Sequence, residues 1–148
     1  HKKQGKIEIG DISERDLMLL DIGLYWGEGV RSRNGSASLV NSDPEIIKLG
    51  QKWLEECLGV SRDDLRPYVY ISSTHVNRKS TIVRFWSRIT NISVGNFKVI
   101  ILKDRPKKRY NNHDSYFGVV ALRVKKSTDL KYRILGLIEA VKISGNHS

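Results

Sequence analysis

Apolar residues first recur at helical spacing just after Ser13. Leu17, Leu20 and Leu24 fall in one row and Leu19, Gly23 and Gly27 in another, the period of an amphipathic helix. Ser13 with Asp16 three residues on is the capping-box pattern of a helix start. A helix is therefore expected over about residues 12–27, with Gly29 permitting an abrupt exit. After the Asn34-Gly35 turn signal, "SASLVN" predicts a strand. "SDPEIIKLGQKWLEECLG" carries helix markers at both ends: Ser42 or Asp43 as the cap, Pro44 near the first helical position, and Gly59 past the end. Ile46, Ile47, Leu49, Trp53, Leu54 and Leu58 supply its apolar face.

The second half continues the alternation. "LRPYVYIS" predicts a strand, and "KSTIVRFWSRIT" a helix that turns Ile82, Phe85, Trp86 and Ile89 inward. "FKVIILK" and "YFGVVALRVK" predict two more strands, expected to form a hairpin across the polar loop 104–115. "STDLKYRILGLIEAVK" closes the chain as a helix with Leu130, Ile134, Leu137, Ile138 and Val141 in one stripe. Interspersed helices and strands imply an α+β fold with helices covering one face of a sheet. Residues 1–10 read as a loose basic N-terminal arm, 11–143 as a single domain and 144–148 as a C-terminal tail. There is no internal repeat and no linker. A first residue of His rather than Met reads as a fragment, a processed chain or a tag remnant.

Composition narrows the class. A chain of 148 residues with 39% hydrophobic residues and three tryptophans is long enough for one real core. No apolar run approaches the roughly 20 residues of a membrane span, and no signal-peptide stretch opens the chain. A cytoplasmic protein without a membrane partner is expected. The single cysteine, Cys57, excludes an intrachain disulfide and a Cys-rich zinc cluster, and reads as core filler in a reducing compartment. His75 and His113 lack metal-ligand spacing.

Charge adds a partner. The formal net charge is +10, and between Lys98 and Arg133 eleven Lys or Arg face three Asp, so 11 − 3 = +8 lies in that stretch. Such a basic patch points to a polyanion, most often nucleic acid.

One stretch carries chemistry as well. In "DIGLYWGEG", Asp21–Gly29, glycines interrupt a helix at about 1 kcal/mol each relative to alanine. The nonapeptide resembles the signature of LAGLIDADG homing endonucleases. Gly23 falls on the family's first glycine, Gly27 on its small residue, Glu28 on its final acid and Gly29 on its last glycine. The strand after it, the junction "LVNSDPEIIKLGQKWL", the later strands and the closing helix extend the resemblance over about residues 12–142.

The spacing agrees independently. Gly23 and Gly27 lie four apart on one helix face, where small residues let two backbones approach, with Leu20 and Leu24 flanking the seam. One such helix per chain requires a second copy, hence a homodimer suited to a near-palindromic DNA site. Two adjacent Glu28 carboxylates would then need cations between them, and Mg²⁺ prefers carboxylate, water and phosphate oxygens.

The resemblance implies a motif helix at the dimer interface and an antiparallel sheet forming a saddle over double-stranded DNA. It implies Glu28 and the adjoining Gly27 at a site for Mg²⁺ (or Mn²⁺ or Ca²⁺). Lys125 or Lys126 would serve as a catalytic-helper lysine, and Asn41 or Ser42 would stand where the family often has a polar glutamine. Implied DNA contacts are Arg31, Arg33, Ser36, Ser38, Arg66, Tyr68, Tyr70, Lys98 and Arg123, with Arg105, Lys107, Lys108 and Arg109 gripping the backbone. Strand alternation agrees in part, since Arg123 and Lys125 share one face and Val120, Leu122 and Val124 the other. Trp26 stands in place of the acid usual at the motif's middle, and "STIVRFWSRIT" adds to the minimal family order. The implied activity is site-specific, metal-dependent double-strand DNA cleavage, for an intron or intein homing endonuclease. The alternatives are a non-cleaving DNA-binding regulator, an RNA-splicing maturase, or a generic basic RNA-binding domain.

Overall fold

The structure, a computed structural model, describes residues 1–28, 36–103 and 114–146. Along the chain run α1 (Lys2–Ile9), α2 (Glu14–Gly27), β1 (Ser38–Asn41), α3 (Pro44–Lys52), β2 (Leu65–Ser72), α4 (Lys79–Thr90), β3 (Lys98–Leu102), β4 (Val119–Val124) and α5 (Thr128–Gly145). The fold is α+β, as its alternating periodicities require.

Reciprocal hydrogen bonds between Ser13 and Asp16 start α2, and those bonds hold the Asp16 carboxyl below the usual carboxylate range. Asp43, not Ser42, caps α3 through the Glu45 N–H, with Pro44 at its first turn. A single π-helical turn, Trp53–Cys57, extends α3, and Trp53 and Leu54 are both buried within it. Trp53 packs against Tyr25 of α2, and its indole N–H meets the Met18 sulfur.

The sheet has the order β1-β4-β2-β3. β4 runs antiparallel to both β1 and β2, whereas β3 runs parallel to β2. Two expectations are corrected here. The sheet is mixed rather than antiparallel, and the last two strands form no hairpin because β2 lies between them. The physical reason is α4. A strand, a helix and a second strand in succession form a crossover, which returns the chain parallel to where it left. α4 buries Ile82 and Trp86 against the sheet, while Phe85 and Ile89 pack half-buried beside them. Pro67 is tolerated because β3 begins pairing only at Tyr68, so β2 has a single neighbour there. Gly118 leads into β4 with φ 68°, and a side chain there would strike the Tyr70 carbonyl oxygen.

Helices cover one sheet face. Leu65, Val69, Ile71, Val120, Leu122 and Val124 point into it and are buried. Residues 1–10 depart from the expected loose arm: Lys2–Ile9 is helical, though it buries nothing. Among the described residues no helix is long and apolar enough to cross a membrane.

Candidate nucleic-acid interface

Among the described residues no helix lies over the other sheet face. Cross-strand pairing sets Arg66 opposite Arg123, Ser38 opposite Arg123, and Tyr68 opposite both Ala121 and Lys98. Residues directly opposite share a face, so Ser38, Arg66, Tyr68, Tyr70, Lys98 and Arg123 form one surface. Their side chains interlock. The Arg123 guanidinium lies 4.1 Å from the Tyr68 ring centre and donates to the Tyr70 hydroxyl at 2.9 Å. Lys98 approaches the same Tyr68 ring from β3, at 5.5 Å. Arg66 turns back to donate to the backbone carbonyls of Asp63 and Leu65.

Electrostatically the surface is one-sided. Like charges directly opposite in a sheet repel, yet Arg66 and Arg123 face each other. Among the described residues the ion pairs are Lys48–Glu45, Lys52–Glu56, Arg62–Glu55 and Lys142–Glu139, none of them on this face. Cations without carboxylate partners beside aromatic rings suit phosphate and bases together.

At one edge of the sheet a second feature is assembled. Glu28 ends α2, and its Oε1 accepts from the Asn41 side-chain amide at 3.3 Å. Asn41 ends β1, and its own Oδ1 accepts from the Asp43 N–H at 2.8 Å. Glu28 is exposed, as is Ser42 beside Asn41. Gly27 precedes Glu28 as the last helical residue.

The expected lysines do not join this corner. Asn41 pairs with Val120, whereas Lys125 follows the far end of β4, roughly 16 Å along at strand rise. There the Lys125 N–H donates to the Asp64 carbonyl, and Lys126 takes a left-handed φ of 49°. Neither lysine reaches Glu28, because the end of β4 and the end of β1 lie at opposite ends of an antiparallel pair.

The outward face of α2 is apolar and open. Leu17, Asp21, Ile22 and Tyr25 are buried, and the opposite side presents Leu19, Leu20, Gly23 and Gly27 to solvent, with Leu24 half-buried. A Cβ added at Gly23 or Gly27 would meet nothing within 4 Å. Trp26 is also exposed, with Lys142 of α5 5.3 Å from its ring centre.

Sequence reasoning overlooked Asp21. This first residue of the nonapeptide is buried, its Oδ2 has no hydrogen-bond partner, and burial pushes its carboxyl up to about 6. Its helical offset, four from Leu17 and Tyr25 alike, was the available signal. Half-buried Ser36 adjoins β1. Gly29, Arg31, Arg33, Arg105, Lys107, Lys108 and Arg109 lie outside the described residues. No group of three or more His, Cys, Asp or Glu gathers into a metal cluster among the described residues. No family model, curated protein or solved structure matches the chain.

Proposed function

We propose that the chain binds double-stranded DNA on its open sheet face and cleaves it as a homodimer of LAGLIDADG type. The observation that carries the binding half is the run Arg66, Tyr68, Tyr70, Lys98 and Arg123 on one uncovered face, without carboxylate partners among the described residues. Arginine there reads guanine edges bidentately, and lysine meets phosphate. The open glycine face of α2 supports pairing with a second copy about a twofold axis.

The donor set at Glu28 fits a hard divalent cation in part. Glu28 and the Gly27 carbonyl offer oxygens, and Mg²⁺ is commonly held by one or two carboxylates with water and phosphate completing the shell. Among the described residues no group of three or more His, Cys, Asp or Glu forms around Glu28, so in this reading the second carboxylate comes from the Glu28 of a second copy. Mg²⁺ (or Mn²⁺ or Ca²⁺), when bound, would supply charge at the scissile phosphate and acidity to water. Asn41 holds the Glu28 carboxylate in orientation.

A second reading, a DNA-binding regulator or RNA-splicing maturase without cleavage, is favoured by one observation. Lys125 and Lys126 stand away from Glu28, which forms no ion pair among the described residues.

Analytical sedimentation with a labelled duplex tests the binding reading. Two chains per duplex and steeply salt-dependent affinity are expected. A monomer that leaves DNA unbound at low salt would contradict it.

A further inference from the structure

On the helix side of the sheet, away from Tyr68 and Arg123, α4 and the edge strand β3 border an open groove of about 540 Å³. Val83 of α4, Phe97 and Val99 make its floor apolar, while Lys79 and Arg84 stand on its rim. This volume falls in the range of built binding sites. Neither rim cation forms an ion pair among the described residues.

A second observation says what kind of molecule fits. β3 is the last strand of the sheet among the described residues and pairs only with β2. Among the described residues no strand pairs with its outer edge, and an edge of that kind presents main-chain N–H and C=O groups. Exposed Ile101 continues the apolar surface along that edge.

We infer that this groove docks an extended, acidic segment of a partner protein, which adds to β3 as a further strand. Alternate side chains of an added strand fall on one face. Apolar ones would rest on Val83, Phe97 and Val99, and carboxylates would meet Lys79 and Arg84. Nucleic acid is the poorer occupant. Its phosphates are acceptors only, so they cannot match a strand edge that alternates donors and acceptors, and they gain nothing from an apolar floor. The inference does not rest on the DNA reading, because the groove and the Tyr68 surface lie on opposite faces of the sheet.

The test selects a phage-displayed library of random octapeptides on the full chain. Backbone amide shifts are then mapped with a synthetic copy of the most enriched peptide. The expected result is enrichment of sequences that carry both apolar and acidic residues on the same set of alternate positions, with shifts at residues 98–102 and 79–84. The double variant Lys79→Glu, Arg84→Glu changes exposed positions and should keep its circular dichroism spectrum. It should bind the peptide about tenfold more weakly, equivalent to about 1.4 kcal/mol. Failure to enrich, enrichment without acidic residues, or undiminished binding by the double variant would overturn the proposal. So would shifts centred on Tyr68 and Arg123, or displacement of the peptide by a short DNA duplex.

Discussion

The Asn41 amide donates to Glu28 Oε1 across 3.3 Å, joining the end of β1 to the end of α2. Asn41 is fixed in turn by its pairing with Val120 and its bond from the Asp43 N–H. The exposed carboxylate is thus held on one side by a residue of the strand end. Residues that orient a ligand or reacting group are typically worth ten- to a hundredfold. Asn41→Ala should slow Mg²⁺-dependent single-turnover cleavage by about that factor and leave DNA affinity nearly unchanged. Equal cleavage rates would show that Asn41 does not position Glu28 for chemistry.

On the sheet face, Arg123 is held by Tyr68 and Tyr70. Arg123→Ala should weaken duplex binding by about 1–3 kcal/mol and relax base preference at the position it contacts. Tyr68→Ala removes the ring that Arg123 and Lys98 share, so it should weaken binding without removing a charge. A double-mutant cycle on free-protein stability should give a Tyr68–Arg123 coupling of about 0.5–1 kcal/mol. Gel-shift titrations over a salt series check the binding effects.

Gly23 separates a helix cost from an interface. A Cβ added there meets nothing within 4 Å in one copy, so Gly23→Ala should raise monomer stability by about 1 kcal/mol through helix propensity. Gly23→Leu should leave the fold intact but hold two helices apart, shifting sedimentation from dimer to monomer. A dimer that persists in Gly23→Leu would move the interface elsewhere.

Asp21 predicts a pH effect with a definite sign. Its carboxyl titrates near 3.8 when unfolded and near about 6 when folded, so the folded state keeps the proton longer. Its contribution to stability is greatest below about 4, falls as pH rises to about 6, and stays low above that. Asp21→Asn should therefore stabilise the protein at pH 7 by about 1 kcal/mol, a figure discounted for solvent relaxation around the carboxyl. At pH 4 the two proteins should melt alike. Urea unfolding at both pH values measures this, and a difference as large at pH 4 as at pH 7 would contradict it.

The elements with strong local signals were legible in the sequence. The Ser13–Asp16 box, Pro44 and the Leu17 row set helix positions to within a few residues. The alternation of Arg66, Tyr68 and Tyr70 with Leu65, Val69 and Ile71 gave the two faces of β2. Strand partners were not legible, because adjacency along the chain does not fix adjacency in a sheet. The strand–helix–strand order through α4 was nonetheless a signal for the parallel β2–β3 pair. The meeting of Glu28 with Asn41 depends on where α2 ends relative to β1, which no periodicity encodes. The isolation of Lys125 depends on strand register for the same reason.

Break mapping on a supercoiled plasmid library with randomised inserts tests the central claim most directly. With Mg²⁺, the protein should cut a recurrent, near-palindromic subset of inserts on both strands, and Glu28→Gln should bind those inserts without cutting them. Tight binding with no recurrent break by the unmodified protein, or equal cutting by Glu28→Gln, would contradict it.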